Sequence, residues 1–141
     1  MNLGLALRLC IQADGNIPSA VAAFRQAGFD YRPMPEANGD VWHRFFAPAE
    51  TVRAEMLQGQ MAPSCDIHTN HLPPQKAGPL VGSMLDQAAP GRFHAATTPP
   101  GTCAVYEDNG PLPLVVSVGA TDGTSGCAAL GSTIISIFKA V

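Results

Sequence analysis

Apolar and polar side chains alternate with a period of two along several stretches of the chain. In residues 102–107, Cys103 and Val105 share one face while Ala104 and Tyr106 share the other. Further on, Leu112, Leu114, Val116 and Val118 alternate with Pro113, Val115 and Ser117. Both stretches read as strands, since successive side chains of an extended backbone point to opposite sides. Asp108-Asn109-Gly110 lies between them. Asn and Gly accept the positive φ of a tight two-residue turn, so the pattern predicts a hairpin closed there. Pro111 and Pro113 cannot donate to a ladder, which puts the start of the second strand at an edge or at the hairpin mouth.

Four more stretches carry strand character. Val41–Phe46 sets Trp42 and Arg44 opposite His43 and Phe45, and residues 64–70 set Cys65, Ile67 and Thr69 against Asp66, His68 and Asn70. Residues 132–138 are apolar and β-branched at Thr133, Ile134, Ile135 and Ile137, which favours a strand over a terminal helix. Residues 50–57 fit either period. Two to three helices are expected. Residues 3–11 are rich in Ala and Leu. Residues 18–27 open on a proline, repeat Val21, Phe24 and Ala27 at helical spacing and stop at Gly28. Residues 79–89 carry Leu80, Met84, Leu85 and Ala88. The expected fold is a single α+β domain over residues 1–141, with an antiparallel sheet of about six strands and two to three helices.

The two halves of the chain resemble each other. Pro18, Phe24, Gln26 and Ala27 recur as Pro79, Leu85, Gln87 and Ala88, all at an offset of 61, which also sets Trp42 on Cys103 and Phe45 on Tyr106. With a gap in the second half, residues 65–70 match the final strand. The expectation is a duplicated helix-strand-strand-strand unit, with halves 1–73 and 74–141, and it makes residues 50–57 the counterpart of 112–119, a strand.

Composition narrows the function. Apolar residues make 46% of the 141 positions, charged residues 13%, and Gly and Pro together 27 positions. That describes an ordered, loop-rich protein and not a disordered one. A net charge of −3 with eight scattered Lys and Arg gives no footprint for nucleic acid or for an anionic membrane surface. No apolar run approaches the ~20 residues of a membrane span, so no membrane insertion is expected. Arg8 interrupts the apolar start, and no signal peptide is read there.

Four cysteines, Cys10, Cys65, Cys103 and Cys127, are spaced by 55, 38 and 24, without a C-x-x-C pair. An even count in a chain poor in charge favours two structural disulfides and a periplasmic or secreted location. Three pairings satisfy four cysteines. If each half closes on itself they are Cys10–Cys65 and Cys103–Cys127, each contributing roughly 3 to 4 kcal/mol through loop entropy.

Cys65, His68 and His71 form C-x-x-H-x-x-H, a donor set that suits copper or zinc. On a strand, though, residues three apart face opposite ways, so Cys65 and His68 converge only if the backbone bends. His43 and His94 stand alone. Ser125 lacks the G-x-S-x-G of a nucleophile elbow, and the glycine-rich stretch 119–131 lacks the lysine of a phosphate loop. The carboxylates show no spacing typical of an acid/base pair.

No catalytic residue, cofactor or metal ligand is therefore assigned. The expected function is that of a non-catalytic, exported binding or accessory protein that contacts another protein. Its partner surface is expected in the two loops richest in aromatic and basic residues, at Tyr31, Arg32, Arg92, Phe93 and His94. The alternatives are a periplasmic copper- or zinc-binding protein using His68 and His71, and a small enzyme with a site assembled from loops.

Overall fold

The computed structural model describes residues 2–59, 62–70, 72–111, 113–121, 127 and 131–140. In chain order its helices and strands are α1 (Asn2–Ala13), α2 (Ile17–Gln26), β1 (Asp30–Tyr31), β2 (Met34–Pro35), β3 (Val41–Phe46), β4 (Val52–Gln58), β5 (Cys65–Thr69), α3 (Pro74–Ala88), β6 (Phe93–Ala95), β7 (Thr102–Asp108), β8 (Leu114–Ala120) and β9 (Thr133–Lys139). The strands make one antiparallel sheet in the order β1-β3-β4-β5-β9-β8-β7-β6, with β2 also pairing with β3. The fold is mixed α+β, with nine strands where the sequence pattern gives about six. The three additional strands, β1, β2 and β6, are two or three residues long, too short to show a period.

All three helices lie on one face. α2 packs on β1 and β3, α1 on β4 and β5 between the other two helices, and α3 on β6 to β9. α1 is apolar nearly all round, and Leu3, Ala6, Leu7, Leu9, Cys10 and Ile11 are buried. That suits a helix covered on three sides. The Cys10–Cys65 disulfide fastens it to β5. Asn16 caps α2 by accepting the Ser19 N–H at 2.9 Å, and Gly28, at φ 94°, ends it. From α2, Phe24 stacks on Phe45 of β3 at 4.4 Å, with Phe29 edge-on to it at 5.0 Å.

The ladders of the two halves carry one register. Phe45 opposes Ala54, which opposes Ile67; Tyr106 opposes Val116, which opposes Ile137. Residues 50–57, ambiguous in sequence, mostly fall in β4, and the terminal stretch is a strand. The halves meet along β5 and β9, where Asp66 pairs with Ser136. A bulge between Thr102 and Ala104 departs from the shared register.

Two local expectations are corrected. The second long helix begins at Pro74 and not at Pro79, which lies inside it. Pro79 is exposed. The Tyr106 hydroxyl donates to the Gly78 carbonyl at 2.8 Å and accepts from the Gly82 N–H, and so ties α3 to β7. Burial pushes the Tyr106 hydroxyl above its ordinary value, against the Gly82 hydrogen bond.

The β7–β8 connection is not a two-residue turn. It spans residues 109–113, and neither Asn109 nor Gly110 has a positive φ. The Asp108 carboxylate organises it instead, accepting the Gly110 N–H at 2.8 Å and Arg92 Nη2 at 3.2 Å. Burial alone would raise that carboxyl; hydrogen bonds from Gly110, Leu114 and Arg92 outweigh it and hold it below its ordinary value. Leu112, counted above in the second strand, lies outside the described residues.

Candidate functional site

The alternation of each strand sends half its side chains away from the helices, and among the described residues neither α1, α2 nor α3 covers that face. A polar row crosses its middle in direct cross-strand register. Arg44 opposes Glu55, Glu55 opposes Asp66, Asp66 opposes Ser136 and Ser136 opposes Ser117. One row along, Arg53 opposes His68. His68 Nε2 lies 3.0 Å from Glu55 Oε1, with Arg53 Nε 3.8 Å from Glu55 Oε2.

The two neighbouring carboxyls are driven in opposite directions. The hydrogen bond from His68 holds Glu55 below its ordinary value, against burial and with the help of Arg53 and Arg44. Burial pushes Asp66 up, although Ser136 and Ser64 donate to it, Ser64 Oγ at 3.3 Å. Glu55 therefore stays ionised while Asp66 holds its proton to higher pH.

Beside this cluster, β3 presents Trp42, Arg44 and Phe46 in succession on the same open face. The Arg32 guanidinium lies 4.2 Å over the Phe46 ring, and that of Arg44 lies 5.7 Å from it. Arg32 Nε also pairs with Asp30 Oδ2 at 2.7 Å, and Arg44 Nε donates to the Arg32 carbonyl at 3.1 Å. Leu57 opposes Trp42 across the ladder. A groove of about 460 Å³ opens here, lined by Asp40, Trp42, Leu57, Ser64 and Asp66 among others.

The residues expected to form a partner surface are not brought together. Tyr31 and Arg32 are at the β1 edge of the sheet, and Phe93 and His94 are in β6 at the opposite edge, with Arg92 just before it. At that far edge Phe93 is buried, Arg92 binds Asp108 and the His94 ring bonds Asn109 Oδ1 at 2.7 Å. Those side chains hold the β7–β8 connection. Tyr31 turns to the helix side, where its hydroxyl meets His43 Nδ1 at 2.7 Å.

The cysteines pair as Cys10–Cys65 and Cys103–Cys127, and no cysteine is free. Two pairs at bonding distance fit an oxidising environment. Cys65 is thereby removed as a thiolate ligand, His68 is engaged by Glu55, and His71 lies outside the described residues. Among the described residues no three His, Cys, Asp or Glu side chains are grouped to hold a metal ion, and no helix is long and apolar enough to cross a membrane.

Comparison with family models, with curated proteins and with solved structures returns no match. Sequence reasoning had placed Trp42 and Arg44 on one face but missed the convergence of Glu55, Asp66 and His68. These three come from two strands, and cross-strand register has no signature in linear spacing.

Proposed function

We propose that this protein is a non-catalytic, exported binding module that contacts another protein through the open face of β3 and β4. The observation that carries the reading is the strip Trp42-x-Arg44-x-Phe46, backed by Arg32, Arg53 and Leu57 on the face of the sheet away from α1, α2 and α3. Trp and Arg are the residues that dominate binding energy at protein interfaces, where large rigid side chains bury area at low entropic cost. A sheet fastened by two disulfides holds them in place before binding, so little ordering remains to oppose association. The paired cysteines support the exported part of the reading.

The matching ladders also support a duplication, with halves 1–73 and 74–141 related by a twofold through the Asp66–Ser136 pair. On this reading the halves have diverged in use. β3 kept a half-buried aromatic and basic strip, while β7 buries or ties down its counterparts.

The test is affinity capture from the exported fraction of the native cells with wild type, Trp42→Ala/Phe46→Ala, and Phe138→Ala as a control. Phe138 is an exposed aromatic of β9, three strands along the sheet from β3. A partner held by wild type and Phe138→Ala but lost from the double variant supports the reading. Equal recovery by all three overturns it.

One observation favours a second reading, a small enzyme. Glu55 and Asp66 are neighbouring carboxyls with oppositely displaced proton affinities, and Asp66 lines a groove with a tryptophan wall. Asp66 then serves as general acid and ionised Glu55 as base or charge stabiliser. Turnover of a chromogenic glycoside or ester that disappears in Asp66→Asn supports it; turnover by neither protein removes it.

A further inference from the structure

On the helix side of the sheet, an open groove of about 710 Å³ runs between α2 and the ends of β3 and β4. One wall is apolar, built from Ile17, Pro18, Val21 and Ala22 along α2. The polar groups that face it are Asn16, Arg25, His43 and Gln58.

The hydrogen bonds already made decide what these groups still offer. Gln58 Oε1 lies 2.8 Å from His43 Nε2, and an amide oxygen only accepts, so Nε2 carries the imidazole proton. His43 Nδ1 lies 2.7 Å from the Tyr31 hydroxyl, so both ring nitrogens are engaged and the ring has no bonding capacity left. Asn16 Oδ1 is taken by the Ser19 N–H. Both amide oxygens are thus occupied, and what remains is the NH2 of Asn16, the NH2 of Gln58 and the Arg25 guanidinium. Every remaining polar side-chain group is a donor, and one of them is a full positive charge.

We propose that this groove binds a small amphiphilic carboxylate, an anionic head on an unbranched apolar chain. The head takes Arg25, near the C-terminal end of α2, and the chain runs along Ala22, Val21 and Ile17 toward the amides of Asn16 and Gln58, nine residues or about 13.5 Å of helix away. An apolar wall with a few polar groups, at a volume within the roughly 300–1,000 Å³ of small-molecule sites, is the usual build of such a site. A cationic amphiphile of equal length has the same apolar contact and meets only donors, so charge is the discriminating variable. The site is separate from the open sheet face, and either one stands if the other fails.

The experiment uses the whole oxidised protein with decanoate and with decylammonium as probes, each below its micelle concentration, followed by two-dimensional amide NMR. The expected result is saturable movement of the Asn16 and Gln58 side-chain amide signals with decanoate and at least about tenfold weaker binding of decylammonium. Arg25→Gln is expected to weaken decanoate by about fivefold, the order of one charge-assisted contact at an exposed site. Ala22→Trp, a substitution at an exposed helix position that fills the groove, is expected to abolish binding, with the rest of the spectrum unchanged as proof of folding. Equal binding of the two probes, retention in Ala22→Trp, or absence of any movement at Asn16 and Gln58 overturns the proposal.

Discussion

Replacing Gly82 by Ala sets two effects of opposite sign against each other. Gly82 lies inside α3, where Ala is favoured over Gly by about 1 kcal/mol through backbone entropy alone. The packing opposes this. A Cβ at Gly82 falls 2.6 Å from the Tyr106 hydroxyl oxygen and 3.0 Å from ring atom Cζ. The ring cannot stay, and its withdrawal breaks the bond to the Gly78 carbonyl and the one from the Gly82 N–H. Each is worth about 1 kcal/mol net, and up to about 3 where a buried partner is left unsatisfied. The balance is a net loss of about 1–3 kcal/mol. For a chain of 141 residues that lowers Tm by about 3 °C per kcal/mol. Urea unfolding followed by circular dichroism, with the disulfides intact, measures it. Tyr106→Phe alone is expected to cost about 1–2 kcal/mol, and Gly82→Ala to cost less in that background than in wild type, since the closest contact is gone. A Gly82→Ala protein as stable as wild type, or more so, refutes the bridging role of Tyr106.

Three further outcomes follow from the sulfur pairs and the open face. Thiol titration of oxidised protein in denaturant is expected to find no free thiol. Removing Cys10–Cys65 as a double alanine variant should cost about 4 kcal/mol, against about 3.4 for Cys103–Cys127, because the first closes a loop of 55 residues and the second one of 24; a reversed order in denaturant unfolding contradicts the loop-entropy reasoning. Burial raises Asp66, so its contribution to stability is complete below the ordinary carboxyl value of 3.8 and is lost as pH rises through the higher folded value. Asp66→Asn should therefore be more stable than wild type at neutral pH and lose that advantage below that ordinary value; a constant difference across the range counts against a buried carboxyl.

Much of the fold was legible because period-two alternation survives wherever one face of a strand is buried. It marked residues 41–46, 64–70, 102–107 and 112–118, while the last strand was read from its β-branched residues and residues 50–57 fitted either period. The shortest strands escaped because two or three residues define no period. Pro79 misled because a proline near an apolar repeat reads as a helix start, whereas here it lies at an exposed position inside α3. Asn109-Gly110 misled for a related reason. The pair is permissive for positive φ but does not require it, and the buried Asp108 carboxylate dictates the connection. Of the site, the placement of Trp42 and Arg44 on one face of a strand was visible, whereas Glu55 beside Asp66 and His68 depends on a register set by the whole sheet.

Trp42 is the chain's single tryptophan and stands within the proposed contact strip. Protein labelled with 5-fluorotryptophan therefore gives one fluorine resonance, whatever tryptophans a partner contains. Addition of the captured partner, with complex formation verified by sedimentation, is expected to shift and broaden that resonance and to shield it from a soluble quencher. A partner that sediments with the protein while the Trp42 resonance keeps its position, width and accessibility contradicts binding through the open face of β3 and β4.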